Sequence, residues 1–238
     1  MSRKHKFKEW IIAENDDYIV INKPAFLATL EDRSEPNNVL KLAKEYCPEA
    51  QVCHRLDKET SGALLIAKNA EAYRNAAIQF EKRTVRKVYH AVVDGLHEFK
   101  DEQVNLPIQA IGTGPNRISH RDGKPATTVI NTLDAYKANT LVACEPLTGR
   151  MHQIRVHLVA MSAPITGDVL YGGHSFFLST IKRNFKLKEN TDEEPLMKRV
   201  ALHAYSIQLK DLDGNELNVT APYPKDFNVL VRQLDRFR

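Results

Sequence analysis

The sequence predicts an α+β fold, a largely antiparallel mixed β-sheet core flanked by helices and loops. Three observations carry this. Short runs rich in Val, Ile, Leu and Tyr outnumber the segments with helical periodicity. Most of those runs follow one another directly. Turn pairs such as Asp122-Gly123 and Asp213-Gly214 punctuate them.

The elements are read in chain order. Tyr18-Ile-Val-Ile-Asn22 is a short apolar strand closed by Lys23-Pro24. Val39, Leu42, Ala43 and Tyr46 fall at i, i+3, i+4 and i+7, an amphipathic helix that Pro48 terminates. Ala63-Leu-Leu-Ile-Ala67 is continuously apolar, as a strand buried on both faces must be. Asn69 caps a helix with the stripe Tyr73, Ala76, Ala77 and Phe80, and Val88–Val93 returns to strand before Asp94-Gly95. Two strand-like runs lie between residues 117 and 146, and residues 152–161 are helical. Residues 199–209 alternate, with Ala201, His203, Tyr205, Ile207 and Leu209 on one side.

Composition narrows the class. The chain has 238 residues, 42% hydrophobic and 27% charged, with a net charge of +4. No apolar run approaches the roughly 20 residues needed to span a bilayer, so no membrane association is expected. The basic start, Met1 to Lys8, leads into Glu9-Trp10 and makes a poor secretory signal. Three cysteines, Cys47, Cys53 and Cys144, lack C-x-x-C spacing, which points to a reducing cytoplasm. No Gly/Ser- or Pro-rich linker and no internal repeat divides the chain, so residues 1–238 read as one domain. Basic residues cluster at Arg3–Lys8, at Lys82, Arg83, Arg86 and Lys87, at Lys182–Lys188 and at the C-terminus. Each suits a solvated face, and together they suit a phosphate-tracking surface. Residues 182–195, basic and then acidic, read as an exposed, mobile insertion.

Two segments carry chemistry. In Cys53-His-Arg-Leu-Asp-Lys-Glu-Thr-Ser-Gly62, Asp57 stands between Arg55 and Lys58 on a loop ahead of a buried strand. Neighbouring cations keep a carboxylate ionised, as a nucleophile or base requires. A surface aspartate capping a turn through Thr60 or Ser61 fits the same local pattern. In Thr148-Gly-Arg-Met-His-Gln-Ile-Arg-Val-His157, Arg150, His152, Gln153 and Arg155 crowd a helix N-terminus suited to a phosphate or carboxylate. His152 and His157 are spaced i, i+5 and do not share a helix face as metal ligands would, so no metal is expected.

His54-Arg-Leu-Asp57 followed by Thr60-Ser-Gly62 and Leu64-Leu-Ile-Ala-Lys68 resembles the signature motif of the RluA-type RNA pseudouridine synthases. Asn22–Ala25, Lys87–Gly95, Thr148–Leu158, Gly167-Asp168 with Tyr171-Gly172, and Leu202-His-Ala204 are similar to further segments of that family, in its order. The resemblance spans about residues 10–225, which leaves no room for a separate N-terminal RNA-binding module. Met151 stands where the family more often has Thr.

The resemblance implies an isomerase that breaks the C1′–N1 bond of a uridine in RNA, rotates the uracil and rejoins it through C5, without a cofactor. Asp57 is the implied catalytic carboxylate, attacking C1′ or C6 or removing a ribose proton. Tyr89 matches the active-site tyrosine, which stacks on the base and is a candidate for the proton transfer from C5, and Arg155 matches the arginine paired with the aspartate. Arg55 is the implied wedge that fills the stack vacated by a flipped base, and Ile154 and Leu202 would press on the uracil. His54, Thr60 and Arg150 complete the substrate-binding set, and Lys82, Arg83, Arg86 and Lys87 would track the RNA backbone. The expected partner is a ribosomal or transfer RNA stem-loop, bound by a monomer. The rival reading is an RNA chaperone or assembly factor on the same scaffold. A glycoside hydrolase is disfavoured because only Glu59 could pair with Asp57.

Overall fold

The structure, a computed structural model, describes residues 7–31, 37–112, 114–187 and 191–238. Residues 1–6 of the basic N-terminal cluster, and 188–190 within the stretch read as an insertion, lie outside the described residues. The chain divides into two compact units: Met1–Tyr89 with His203–Tyr223, and His90–Leu202 with Pro224–Arg238.

In the first unit the elements are β1 (Ile11–Glu14), β2 (Tyr18–Lys23), α1 (Val39–Tyr46), β3 (Gln51–Val52), β4 (Ser61–Ala67), α2 (Ala70–Glu81) and the start of β5 (Arg86–Asp94). The second unit contains β6 (Glu102–Asn105), β7 (Ile108–Gln109), β8 (Arg117–Ile118), β9 (Thr127–Ala135), β10 (Asn139–Pro146) and α3 (Gln153–Ala160). The chain returns to the first unit along β11 (Leu202–Lys210) and β12 (Glu216–Thr220), then ends in the second with α4 (Lys225–Arg236).

Every residue of β4 is buried. Side chains alternate across a strand, so Ala63, Leu65 and Ala67 enter one core with α2, while Leu64 and Ile66 enter another with α1. This explains the unbroken apolar run. One edge of β4 pairs antiparallel with β2 from Tyr18↔Ala67 to Lys23↔Gly62. The other edge is shared: β11 runs parallel at His203↔Ser61 and Ala204↔Gly62, and β3 pairs antiparallel at Val52↔Ile66. At Gly62, with φ +116°, an added Cβ would stand 2.2 Å from the Ala204 carbonyl oxygen, so only glycine permits this approach.

The expected N-cap at Asn69 forms, accepting from Ala72 N–H at 2.8 Å, and Asn38 caps α1 in the same way, accepting from Lys41 N–H at 2.9 Å. The stripe expected on α2 forms in part: Ala76 is buried and Phe80 packs against the core, whereas Ala77 is exposed and Tyr73 is 37% exposed, with Ala72 buried instead. Polar Asn75 and Gln79 flank that face because each has an assigned partner. Asn75 donates to the Tyr18 hydroxyl at 3.0 Å, and Gln79 exchanges bonds with the backbone of Lys210.

In the second unit β9 lies between β10 and β6, antiparallel to both, and β7 pairs with β8. α3 is buried from Gln153 to Leu158, so it has no solvent stripe. α4 is tethered by Arg199, whose Nε and Nη2 donate to Asp226 at 2.7 and 3.0 Å. Residues 182–187 and 191–195 carry no helix or strand and are mostly exposed.

Candidate active site

Asp57 sits on a loop whose backbone is fixed from several sides within the first unit. Leu56 is buried in the core shared with α1. The Thr29 hydroxyl donates to the Leu56 carbonyl at 2.8 Å and accepts from its N–H at 3.1 Å. The Lys58 carbonyl accepts from Phe26 N–H at 2.8 Å and from the Lys23 ammonium at 3.2 Å. Lys23 is fully buried, and its ammonium also donates to the Pro24 and Leu27 carbonyls, each at 2.9 Å. Thr60 N–H closes the turn on the Asp57 carbonyl at 3.0 Å. Ser61 lies 2.9 Å from His203 Nδ1, and His203 Nε2 lies 3.1 Å from the Ala221 carbonyl. Because that carbonyl can only accept, Nε2 carries the proton; in the neutral ring Nδ1 then accepts from Ser61.

His54 occupies the gap between β3 and β11 along β4. Its Nε2 accepts from Leu65 N–H at 3.1 Å, replacing a missing strand carbonyl. Burial first, then the charge of Lys87, pushes its pKa down to about 3, so the ring is a neutral acceptor. A neighbour, Phe80, lies 5.3 Å away ring to ring, and Lys87 Nζ stands 5.6 Å from the Phe80 centroid. Tyr89 follows Lys87 on the same side of β5 and packs against the core containing Leu56 and Ala204. Burial, and then the negative charge of Asp57, raises the Tyr89 phenol above its ordinary value. The phenol is therefore protonated at neutral pH. Lys82, Arg83 and Arg86 are exposed at the end of α2 and the start of β5.

A second polar cluster is built within the other unit. Arg155, on α3, donates through Nε and Nη2 to the two oxygens of Asp168 at 2.7 and 2.6 Å, with both residues buried. Asp168, thirteen residues on, thus gives Arg155 a planar, bidentate partner. Tyr171 closes the cluster: the guanidinium lies 4.8 Å from its ring centroid, and its hydroxyl is 3.0 Å from His152 Nδ1 and accepts from Asn116 N–H. The start of α3 is organised by Gln153, which accepts from the Thr148 hydroxyl and Arg150 N–H and donates to Thr127 and Thr128. His152, at the N-cap, has φ 57° and makes no side-chain cap. Arg150 Nε donates to the Pro125 carbonyl at 3.1 Å. Both nitrogens of His157 are spent, on Thr128 and Leu106. No group of three or more His, Cys, Asp or Glu suited to a metal ion occurs among the described residues.

The residues singled out from sequence therefore fall into two sets. His54, Arg55, Asp57, Thr60, Lys82, Arg83, Arg86, Lys87 and Tyr89 belong to the first unit. Arg150, Ile154, Arg155 and Leu202 belong to the second, where Ile154 and Leu202 are buried. Arg55 is exposed and Thr60 buried. Sequence reasoning missed the supporting roles of Lys23, Thr29, Asp168 and Tyr171. Each lies far along the chain from the group it holds, or looks like an ordinary turn residue. Gly167-Asp168 with Tyr171-Gly172 was a legible signal, without an indication of its partner.

The depressed pKa of His54 sets a pH dependence. An unfolded chain protonates this histidine near its ordinary value of about 6.5, whereas the folded protein resists until about pH 3. Between those values the unfolded state binds more protons, so stability is full above the window and is lost as pH falls through it. Urea midpoints measured from about pH 7.5 down to about pH 5 should decline. His54→Gln keeps an acceptor that does not titrate and should flatten that decline; an unchanged slope would remove His54 as its source.

The sequence profile described as RNA pseudouridylate synthase matches residues 17–160, more than half of the chain. A ribosomal large subunit pseudouridine synthase D of Neisseria meningitidis is 34% identical over 238 residues, covering 94% of this chain and 60% of that protein. The chain thus spans less than two thirds of that relative's length. An uncharacterized RNA pseudouridine synthase of Zymomonas mobilis is 32% identical, with 89% of this chain and 92% of that protein covered. The solved structure of human RNA pseudouridylate synthase domain containing 4 superposes with a TM-score of 0.73 over 98% of this chain and 95% of that one, at 24% identity, and shares its fold. With a profile match over more than half of the chain and relatives above 30% identity that align with about nine tenths of it, the chain belongs to the RNA pseudouridylate synthase family.

Proposed function

We propose that the chain isomerises uridine to pseudouridine in RNA, with Asp57 as the reacting carboxylate. The observation that carries this is Asp57 on a loop clamped by Leu56, Thr29, Lys23 and Phe26, with its charge felt at the buried phenol of Tyr89. A carboxylate on a rigid support can attack in a fixed direction without reorganising its loop. In the reaction the C1′–N1 bond breaks, the uracil turns, a C1′–C5 bond forms, and the proton leaving C5 is balanced by one gained at N1. Tyr89, kept protonated, contributes an apolar face and a hydroxyl donor, which leaves proton removal from C5 to a carboxylate or to water. Arg155, held by Asp168, is the third member of the catalytic set. Arg55, an exposed cation beside Asp57 in sequence, suits the wedge that replaces a flipped base. His54, Thr60, Arg150, Ile154 and Leu202 complete the substrate-binding set, as loop supports, a phosphate contact and apolar walls.

The substrate proposed is a stem-loop of ribosomal or transfer RNA, with ribosomal RNA favoured by the name of the Neisseria relative. The protein acts as a monomer and a single catalytic domain. A reducing cytoplasm suits its three free cysteines, and among the described residues no helix is long and apolar enough to cross a membrane. Mapping pseudouridine in cellular RNA with wild type, with Asp57→Ala and without the protein tests the reading. Sites lost in both of the latter support an enzyme. Sites retained with Asp57→Ala would favour the rival chaperone role.

Lys82, Arg83, Arg86 and Lys87 are proposed to contact RNA phosphates. Their combined replacement by Gln should weaken binding and reduce the log–log salt slope by roughly 3 units, at about 0.7–0.9 per phosphate. An unaltered slope would remove that role.

A further inference from the structure

Phe26 is out of keeping with its surroundings. Its φ is +63°, in the left-handed region where a bulky side chain is strained and glycine is not. Its side chain is also unburied, at 53% exposed. Neither the backbone nor the core therefore accounts for a phenylalanine here, and folding alone would favour glycine. The main chain around it is nevertheless held at several points. Phe26 N–H donates to the carbonyl of Lys58, the residue that follows Asp57. The buried Lys23 ammonium ties the Pro24 and Leu27 carbonyls, on either side of Phe26, to the same Lys58 carbonyl. Leu27 packs into the core below. An exposed ring is thus mounted on a rigid support that shares its hydrogen bonds with the Asp57 loop.

We propose that Phe26 is a stacking platform for a nucleobase next to the reacting uridine, an inference that rests on the RNA reading above. Flipping one base out of a strand deprives its neighbour of a stacking partner, and an aromatic face restores one. The phenyl ring has no hydrogen-bonding group, so it accepts any base and contributes affinity rather than sequence choice.

The test compares wild type, Phe26→Gly and Phe26→Tyr in binding a single-stranded oligouridylate and an abasic ribose-phosphate oligomer of equal length, alongside their melting temperatures. Phe26→Gly should melt no lower than wild type, since it relieves the strained backbone. It should bind oligouridylate about fivefold or more weakly, the lower end for one stacked base, and the abasic oligomer equally well. Phe26→Tyr should restore the lost affinity. Equal binding of oligouridylate by wild type and Phe26→Gly would overturn the platform, as would an equal loss on both oligomers. A wild-type protein that binds neither oligomer would instead remove the RNA reading, and the platform with it.

Discussion

Asp57→Asn is expected to lower pseudouridine formation by more than about a thousandfold while leaving RNA affinity and melting temperature near wild type. The amide matches the carboxylate in shape but is neither a nucleophile nor a base. The backbone of the loop is held by contacts that an amide at position 57 leaves in place. Leu56 anchors it in the core, Thr29 bonds both backbone groups of Leu56, and the Lys58 carbonyl is held by Phe26 N–H and the Lys23 ammonium. Single-turnover kinetics with binding measured separately would check this. Turnover within tenfold of wild type would mean that another group performs the chemistry. A collapse in melting temperature would mean that the carboxylate is structural.

The second large effect concerns Asp168. Asp168→Ala is expected to destabilise the protein by about 3–5 kcal/mol, the usual cost of stranding one partner of a buried ion pair. For a chain of this size that is a fall in melting temperature of roughly 6–20 °C. Both donors that Arg155 gives to Asp168 would lose their acceptor in a buried setting. The double variant Arg155→Met with Asp168→Leu should recover much of the loss, because an apolar pair of similar volume needs no compensation. Turnover in that double variant separates two roles for Arg155. Restored stability without activity supports its place in the reaction, whereas wild-type turnover would reduce the pair to scaffolding.

Much of the first unit was legible because its signals are local. β4 reads as an unbroken apolar run since both of its faces are buried. Asn69 announces a helix start because a cap bonds only two or three residues ahead. α2 shows where this logic weakens. Its apolar periodicity pointed to Tyr73, Ala76, Ala77 and Phe80; Ala76 is buried and Phe80 packs on the core, but Ala72 takes the place of Tyr73 and Ala77, and Asn75 and Gln79 find partners that no local pattern encodes. The site divides in the same way. Asp57 and its neighbouring cations were visible as a motif. That His54 serves β4 as a neutral acceptor was not, because Leu65 is eleven residues on.

By itself, then, the sequence determined the α+β class, the strand and cap positions, and the segments that mark the chain as a pseudouridylate synthase relative. These follow from periodicity and short spacing, which depend on a residue's nearest neighbours along the chain. Only the tertiary structure decided which partner each charged or polar side chain meets: Asp168 for Arg155, three carbonyls for Lys23, Leu65 for His54. The reason is physical. A buried polar group must be satisfied by whatever chain closure brings within about 3 Å, and closure over tens of residues leaves no local pattern.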